Sequence, residues 1–97
     1  MKKRTKAEAL RYRRWAAENH PCRGCGIEDE TRVLHHFTFL DAGMGQKEDD
    51  SKGAVLCYTC HTERLHRHGE KSFWAALGVD LDELVFESGE MFNSYKE

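Results

Sequence analysis

Two Cys-x-x-Cys knuckles constrain this chain more than any other feature: Cys22-Arg-Gly-Cys25 and Cys57-Tyr-Thr-Cys60. Each offers a pair of thiolates, and four thiolates suit one tetrahedral ion, of which zinc is the usual occupant. For the knuckles to share an ion, the chain between them must fold back on itself. All four cysteines and five of the six histidines fall between Cys22 and His68. The flanking segments therefore read as support, steering or cover for that stretch.

Two disulfides would be the other use of four cysteines, in a secreted protein. No apolar run resembles a signal peptide or a membrane span, because the basic start leads into an amphipathic segment. A cytoplasmic setting without a membrane partner is expected, and there paired cysteines read as metal ligands. At 97 residues and 39% hydrophobic content, one domain (1–97) is expected, with a core that gains much from a metal staple. It divides into a basic N-terminal helix and arm (1–20), a zinc-stapled core (21–69), and a helical cover with an acidic tail (70–97).

Charge is distributed unevenly around a formal net of -2. Lys2, Lys3, Arg4, Lys6, Arg11, Arg13 and Arg14 face only Glu8 in the first 14 residues, whereas six carboxylates from Asp80 onward face Lys96. Clustered positive charge attracts phosphates whatever the overall sum, so these basic side chains are candidate nucleic-acid contacts; the competing reading is a solvated surface helix with a tail chosen for solubility.

Local signals then place the elements. Thr5-Lys-Ala-Glu8 fits a capping box that starts a helix over about Lys6 to Glu18, with Leu10, Tyr12, Trp15, Ala16 and Ala17 as its buried stripe. Asn19-His20-Pro21 ends it, which favours His20 as a boundary residue over a ligand. Val33 to Leu40 reads as a strand and Asp41 to Gly53 as a loop; Ala54-Val55-Leu56 is the returning strand and Cys60 to about Arg67 a helix. This order is ββα. Beyond it, a short helix over Ser72 to Leu77 would face Phe73, Trp74 and Leu77 inward. Asp80-Leu-Asp-Glu83 caps another through Leu84, Val85 and Phe86, and Met91, Phe92 and Tyr95 form a last turn. These aromatics read as core.

If the cysteines saturate zinc, the histidines are left for other work. Consecutive strand residues face opposite ways, so His35 and His36 cannot readily share one metal. One can ligate while the other addresses a substrate; the competing reading has one of them packed and hydrogen-bonded in the core. His61 and His66, set against His35, offer a second cation site, although a five-residue step is wider than ideal for a helix face. His68 points elsewhere. Imidazole exchanges protons near neutrality, so His36 suits activation of a water beside a cation that stabilises phosphate charge.

Cys22-x-x-Cys25-Gly26, His35-His36-Phe37, Leu56-Cys57-x-x-Cys60-His61 and the trailing His66 resemble the HNH endonucleases, the ββα-metal or His-Me finger class, in cysteine-knuckled form. Gly43-Met-Gly45-Gln-Lys47 and Gly69-Glu-Lys71-Ser-Phe73-Trp74-x-x-x-Gly78-Val-Asp80 are further similar to small nucleases of phages and prophages, including recombination-associated ones. The resemblance implies a small α+β domain with a zinc-stapled ββα-metal core, an N-terminal helix and short C-terminal helices. It implies metal-dependent hydrolysis of DNA phosphodiester bonds, with His36 as general base and His35, His61 and His66 holding a catalytic divalent cation. Mg2+ or Mn2+ is the expected ion, with Ni2+ and Zn2+ as alternatives that ligand type does not separate. Arg64, Arg67 and Lys71 become candidate phosphate contacts.

Implied partners are DNA, a recombination or phage-processing protein and a second copy of the chain, in a phage-infected or prophage-bearing bacterial host. One family feature is missing. No asparagine lies between His36 and Cys57 to orient the base; Asp50 is the candidate substitute, with Asp41 and Gln46 as rivals. The competing functions are a noncatalytic zinc-stapled DNA-binding module and a zinc-stabilised protein-interaction domain. Covalent haem attachment at Cys-x-x-Cys-His would leave Cys22 and Cys25 unexplained.

Overall fold

The structure, a computed structural model, describes residues 5–39 and 50–95. The expectations on Lys2, Lys3, Arg4, Asp41, Gln46 and the Gly43-to-Lys47 loop lie outside these residues.

Helix α1 (Lys6–Asn19) starts at the anticipated capping box, in which Glu8 N–H donates to Thr5 Oγ1 at 3.1 Å and Thr5 N–H to Glu8 Oε1 at 2.7 Å. Its end falls at His20, which has extended backbone, precedes Pro21 and sets Nδ1 3.0 Å from the Ala16 carbonyl oxygen. The buried stripe is narrower than the sequence suggests. Tyr12 and Ala16 are fully buried, but Leu10 is 56% exposed. Two positions correspond to about 200° around a helix, so Leu10 and Tyr12 cannot both face inward.

Strands β1 (Val33–His36) and β2 (Gly53–Leu56) pair antiparallel, with His35 opposite Ala54 and His36 opposite Gly53. Opposed residues share a face while neighbours alternate. Val33, His35, Ala54 and Leu56 therefore point one way, and Leu34, His36 and Val55 the other. β1 stops at His36 instead of running to Leu40. Phe37 N–H still reaches the Lys52 carbonyl at 3.0 Å, but Thr38 N–H leaves the ladder for Glu70 Oε1 at 2.6 Å.

The third ββα element, α2, is π-helical over Thr59–Leu65 and α-helical over His66–His68. Gly69, at φ +83°, separates it from α3 (Glu70–Ala76), and α4 spans Leu81–Ser94. Here the sequence reading needs correcting, because one continuous helix replaces the short helix and separate last turn expected after Asp80. Gly89 interrupts nothing, although glycine costs about 1 kcal/mol in a helix. Its neighbour Ser88 is buried and ties α4 to the sheet, with Oγ accepting from Gly53 N–H and donating to the Ser51 carbonyl, both at 2.7 Å. Leu77 is also turned outward, since α3 ends at Ala76 and the chain reverses through Gly78.

Both faces of the hairpin are covered, which is why β2 is buried throughout despite its small size. On the His35 side, Phe37, Ala54 and Leu56 pack with Cys22, Cys57, Cys60, Leu65, Phe73, Trp74 and Leu84. On the opposite side, Leu34 and Val55 meet Tyr12 and Ala16, backed by Trp15, Met91, Phe92 and Tyr95. Tyr12 makes edge contacts with Phe92 and Tyr95 at centroid distances of 5.0 and 5.2 Å, so these aromatics are core. Phe86 is the exception, at 68% exposure. The protein is thus a small α+β domain with a two-stranded sheet and flanking helices, broadly compatible with a ββα-metal arrangement. No described helix is long and apolar enough to cross a membrane.

Candidate metal centre

The knuckles meet. Ligand sulfurs of Cys22, Cys25, Cys57 and Cys60 all lie within 4.8 Å of one another, and the Cys25 and Cys57 sulfurs are 3.7 Å apart. A tetrahedral ion with ~2.3 Å bonds to sulfur sets its ligands roughly 3.8 Å apart, so this spacing fits zinc. It is far too long for a disulfide, and all four cysteines are free. Cys22, Cys57 and Cys60 are buried and Cys25 is exposed at the rim.

Local backbone explains the approach. Arg23 N–H donates to the Val55 carbonyl at 2.7 Å, pinning the first knuckle to β2, while Gly24 N–H points at Cys22 Sγ from 3.3 Å. A Cβ on Gly24 would stand 2.9 Å from Cys60 Sγ and 3.0 Å from Phe73. Only glycine lets the knuckle come so near. Burial alone would raise the Cys22 thiol, but backbone hydrogen bonds at Cys57, Cys25 and Gly24 bring it down to about 7. Burial pushes Cys57 and Cys60 up instead. One thiol of the group thus ionises readily, and a bound cation would compensate the rest, releasing their protons.

Beside this quartet, the two strand histidines do go to opposite faces. His35 is buried with its Nε2 2.8 Å from Glu70 Oε2. Glu70 also accepts from Thr38 N–H and Thr38 Oγ1 through Oε1, and from Trp74 Nε1–H at 3.1 Å through Oε2. Burial opposes its ionisation, yet these donors together hold the carboxyl at about 2. The His61 ring lies 5.1 Å from that of His35 and 5.7 Å from that of His66, centroid to centroid. Here the π-helical turn matters. Its i→i+5 bonding widens the helix, so residues five apart become neighbours, and such segments recur at functional sites. Burial, then the adjacent His35 and His66, lower His61 below the ordinary imidazole value.

On the other face, His36 Nε2 is 2.7 Å from Asp50 Oδ1, and the same oxygen accepts from Arg13 Nε at 2.9 Å. The Asp50 side chain is 3% exposed, whereas that of His36 keeps 23%. Arg13, expected to contact phosphate, therefore spends its Nε inside the domain. Lys6, Arg11, Arg14, Arg64, Arg67 and Lys71 are exposed, with Arg64 Nη1 3.8 Å from Cys60 Sγ. His68 is exposed at the end of α2, and His20 caps α1, its ring set edge-on to Trp15 and its carbonyl accepting from Arg32.

Glu70 and Thr38 escaped the sequence reading. The signal available was a carboxylate four residues before Trp74, but the predicted helix began only at Ser72; α3 starts at Glu70, and on one helix that spacing lets the two side chains meet. Among the described residues, the cysteine quartet is the one group of three or more candidate ligands gathered tightly enough for an ion. His35, His61 and His66 are neighbours without forming such a set, so the arrangement fits a zinc-binding module more directly than a hydrolytic centre. Compared with protein-family models, curated proteins and solved structures, the chain matches none.

Proposed function

We propose that this chain is a zinc-stapled ββα-metal module that acts on DNA, and that its strand histidines make it a phosphodiester-cleaving endonuclease. The observation that carries this reading is the division of the pair. His35 turns toward His61, while His36 on the opposite face keeps partial exposure and a buried carboxylate partner.

Asp50, bound to Arg13 Nε, accepts from His36 Nε2–H, leaving Nδ1 as the basic nitrogen. A carboxylate in that position fixes the tautomer and stabilises the imidazolium that forms when Nδ1 takes a proton. The proton would come from a water whose oxygen bonds to phosphorus as the bond to the 3' oxygen breaks. His35, His61 and His66 would hold a divalent cation, which supplies charge stabilisation at the phosphate. The exposed arginines and lysines of α1, α2 and α3 contact the DNA backbone in this account, giving broad rather than base-specific recognition and strong salt dependence. Cutting both strands calls for two sites, and a homodimer would provide them.

A specific observation favours the second reading, a noncatalytic zinc-stapled DNA-binding module: among the described residues, only the cysteines form a complete ligand set. Supercoiled-plasmid cleavage separates the two. Wild type and His36→Ala, each carrying one zinc, are incubated with Mg2+, Mn2+, Ni2+ or added Zn2+. Nicking by wild type but not by His36→Ala is expected. DNA binding without cleavage under every cation would establish the binding module instead.

A further inference from the structure

The endonuclease reading leaves unused a buried, heavily bonded carboxylate. Glu70 has a 4% exposed side chain at the start of α3, and its carboxylate faces four donor positions from three residues. The Thr38 backbone N–H and the Trp74 indole N–H can only donate, and one falls on each carboxylate oxygen. Both oxygens are thereby committed as acceptors. An ionised carboxylate only accepts, so His35 Nε2, 2.8 Å from Oε2, carries the proton and donates it.

We propose that Glu70 is a positioning residue that fixes His35 as the Nε2–H tautomer, leaving Nδ1 as its ligating nitrogen. This rests on the assignment of His35 to a cation site. The logic is that of carboxylate–histidine pairs in metal proteins, where a second partner sets the tautomer and ring orientation and sharpens ligand basicity. Glu70 adds a mechanical function. Through Oε1 it draws Thr38 N–H out of the β ladder two residues past β1, which ends at the histidine pair itself. Through Oε2 it joins His35 to Trp74, which is completely buried. One carboxylate thus couples the His35 ring, the exit of the strand and the core.

The test reads the tautomer directly. Long-range 1H–15N correlation spectra of 15N-histidine protein, with zinc in the cysteine site and no added cation, should show His35 protonated at Nε2 and unprotonated at Nδ1. Glu70→Gln keeps the shape but offers one carbonyl oxygen in place of two carboxylate acceptors. A mixed or inverted His35 tautomer is expected there, with Mn2+ affinity measured by calorimetry reduced about 10–100-fold. Wild-type His35 protonated at Nδ1 overturns the proposal without any variant. So does a folded Glu70→Gln with an unchanged tautomer and Mn2+ affinity, or loss of the Nε2 proton when Mn2+ binds wild type, which would make Glu70 a ligand beside His35. If wild type binds no Mn2+, the cation-site reading fails, while the tautomer spectra of wild type and Glu70→Gln still decide the role of Glu70.

Discussion

The cysteine quartet and the histidine group belong to one ββα unit, yet the fold completes the first and leaves the second open. Four sulfurs converge within 4.8 Å, three of them on buried residues. The imidazoles meet as neighbours: His35 is buried against Glu70, His61 is partly buried and His66 is exposed. A site with all positions filled by protein ligands is structural, whereas chemistry needs open positions and access. Incompleteness is thus what a working site would need, and it is equally what an idle cluster would show. Breaking each group separately tells which.

The largest effect is expected from the quartet. Cys57→Ser removes one thiolate and leaves three around the ion; since structural zinc contributes on the order of 10–16 kcal/mol to such folding, the domain should lose its cooperative melt by circular dichroism. An unchanged melting curve would deny the cysteines that role. Asp50→Ala should act on the other side of the comparison, lowering cleavage on the order of 100-fold by releasing His36. It should also cost about 1–3 kcal/mol in denaturant unfolding, because Arg13 and His36 lose a buried acceptor. Equal cleavage by wild type and Asp50→Ala would sever Asp50 from the chemistry.

A pH titration sharpens the contrast further. His61 has a folded pKa below that of the unfolded chain, so the unfolded state binds more protons as pH falls. Its contribution is fully present above about 6.5 and is lost as pH drops toward the lower folded value. At equal zinc loading, His61→Asn should show a shallower loss of stability with acid than wild type; a steeper slope would reverse the assignment. The smallest effect lies far from both groups. Thr5→Ala removes the side-chain half of the capping box and should cost about 1 kcal/mol, with zinc content and cleavage unchanged.

Features written as local patterns were legible in the sequence. The knuckles, the capping box at Thr5 and the alternation of His35 and His36 follow from spacing alone, and each corresponds to geometry in the fold. Features set by distant partners were not legible. β1 is short because Thr38 N–H is claimed by Glu70, 32 residues away in sequence. α4 survives Gly89 because Ser88 is anchored to the hairpin, and Leu10 lost its place in the core to the Tyr12–Ala16 stripe. The His61–His66 step looked too wide because an α-helix was assumed, and the π-helical turn accommodates the added residue.

Calorimetric titration of Mn2+ into zinc-loaded wild type and His61→Ala tests the division between the two groups most directly. One Mn2+ site in wild type is expected, lost in His61→Ala while that variant keeps its zinc and its melting temperature. No binding heat in wild type, or equal binding in both proteins, would contradict a histidine cation site and leave the cysteine quartet as the domain's whole metal chemistry.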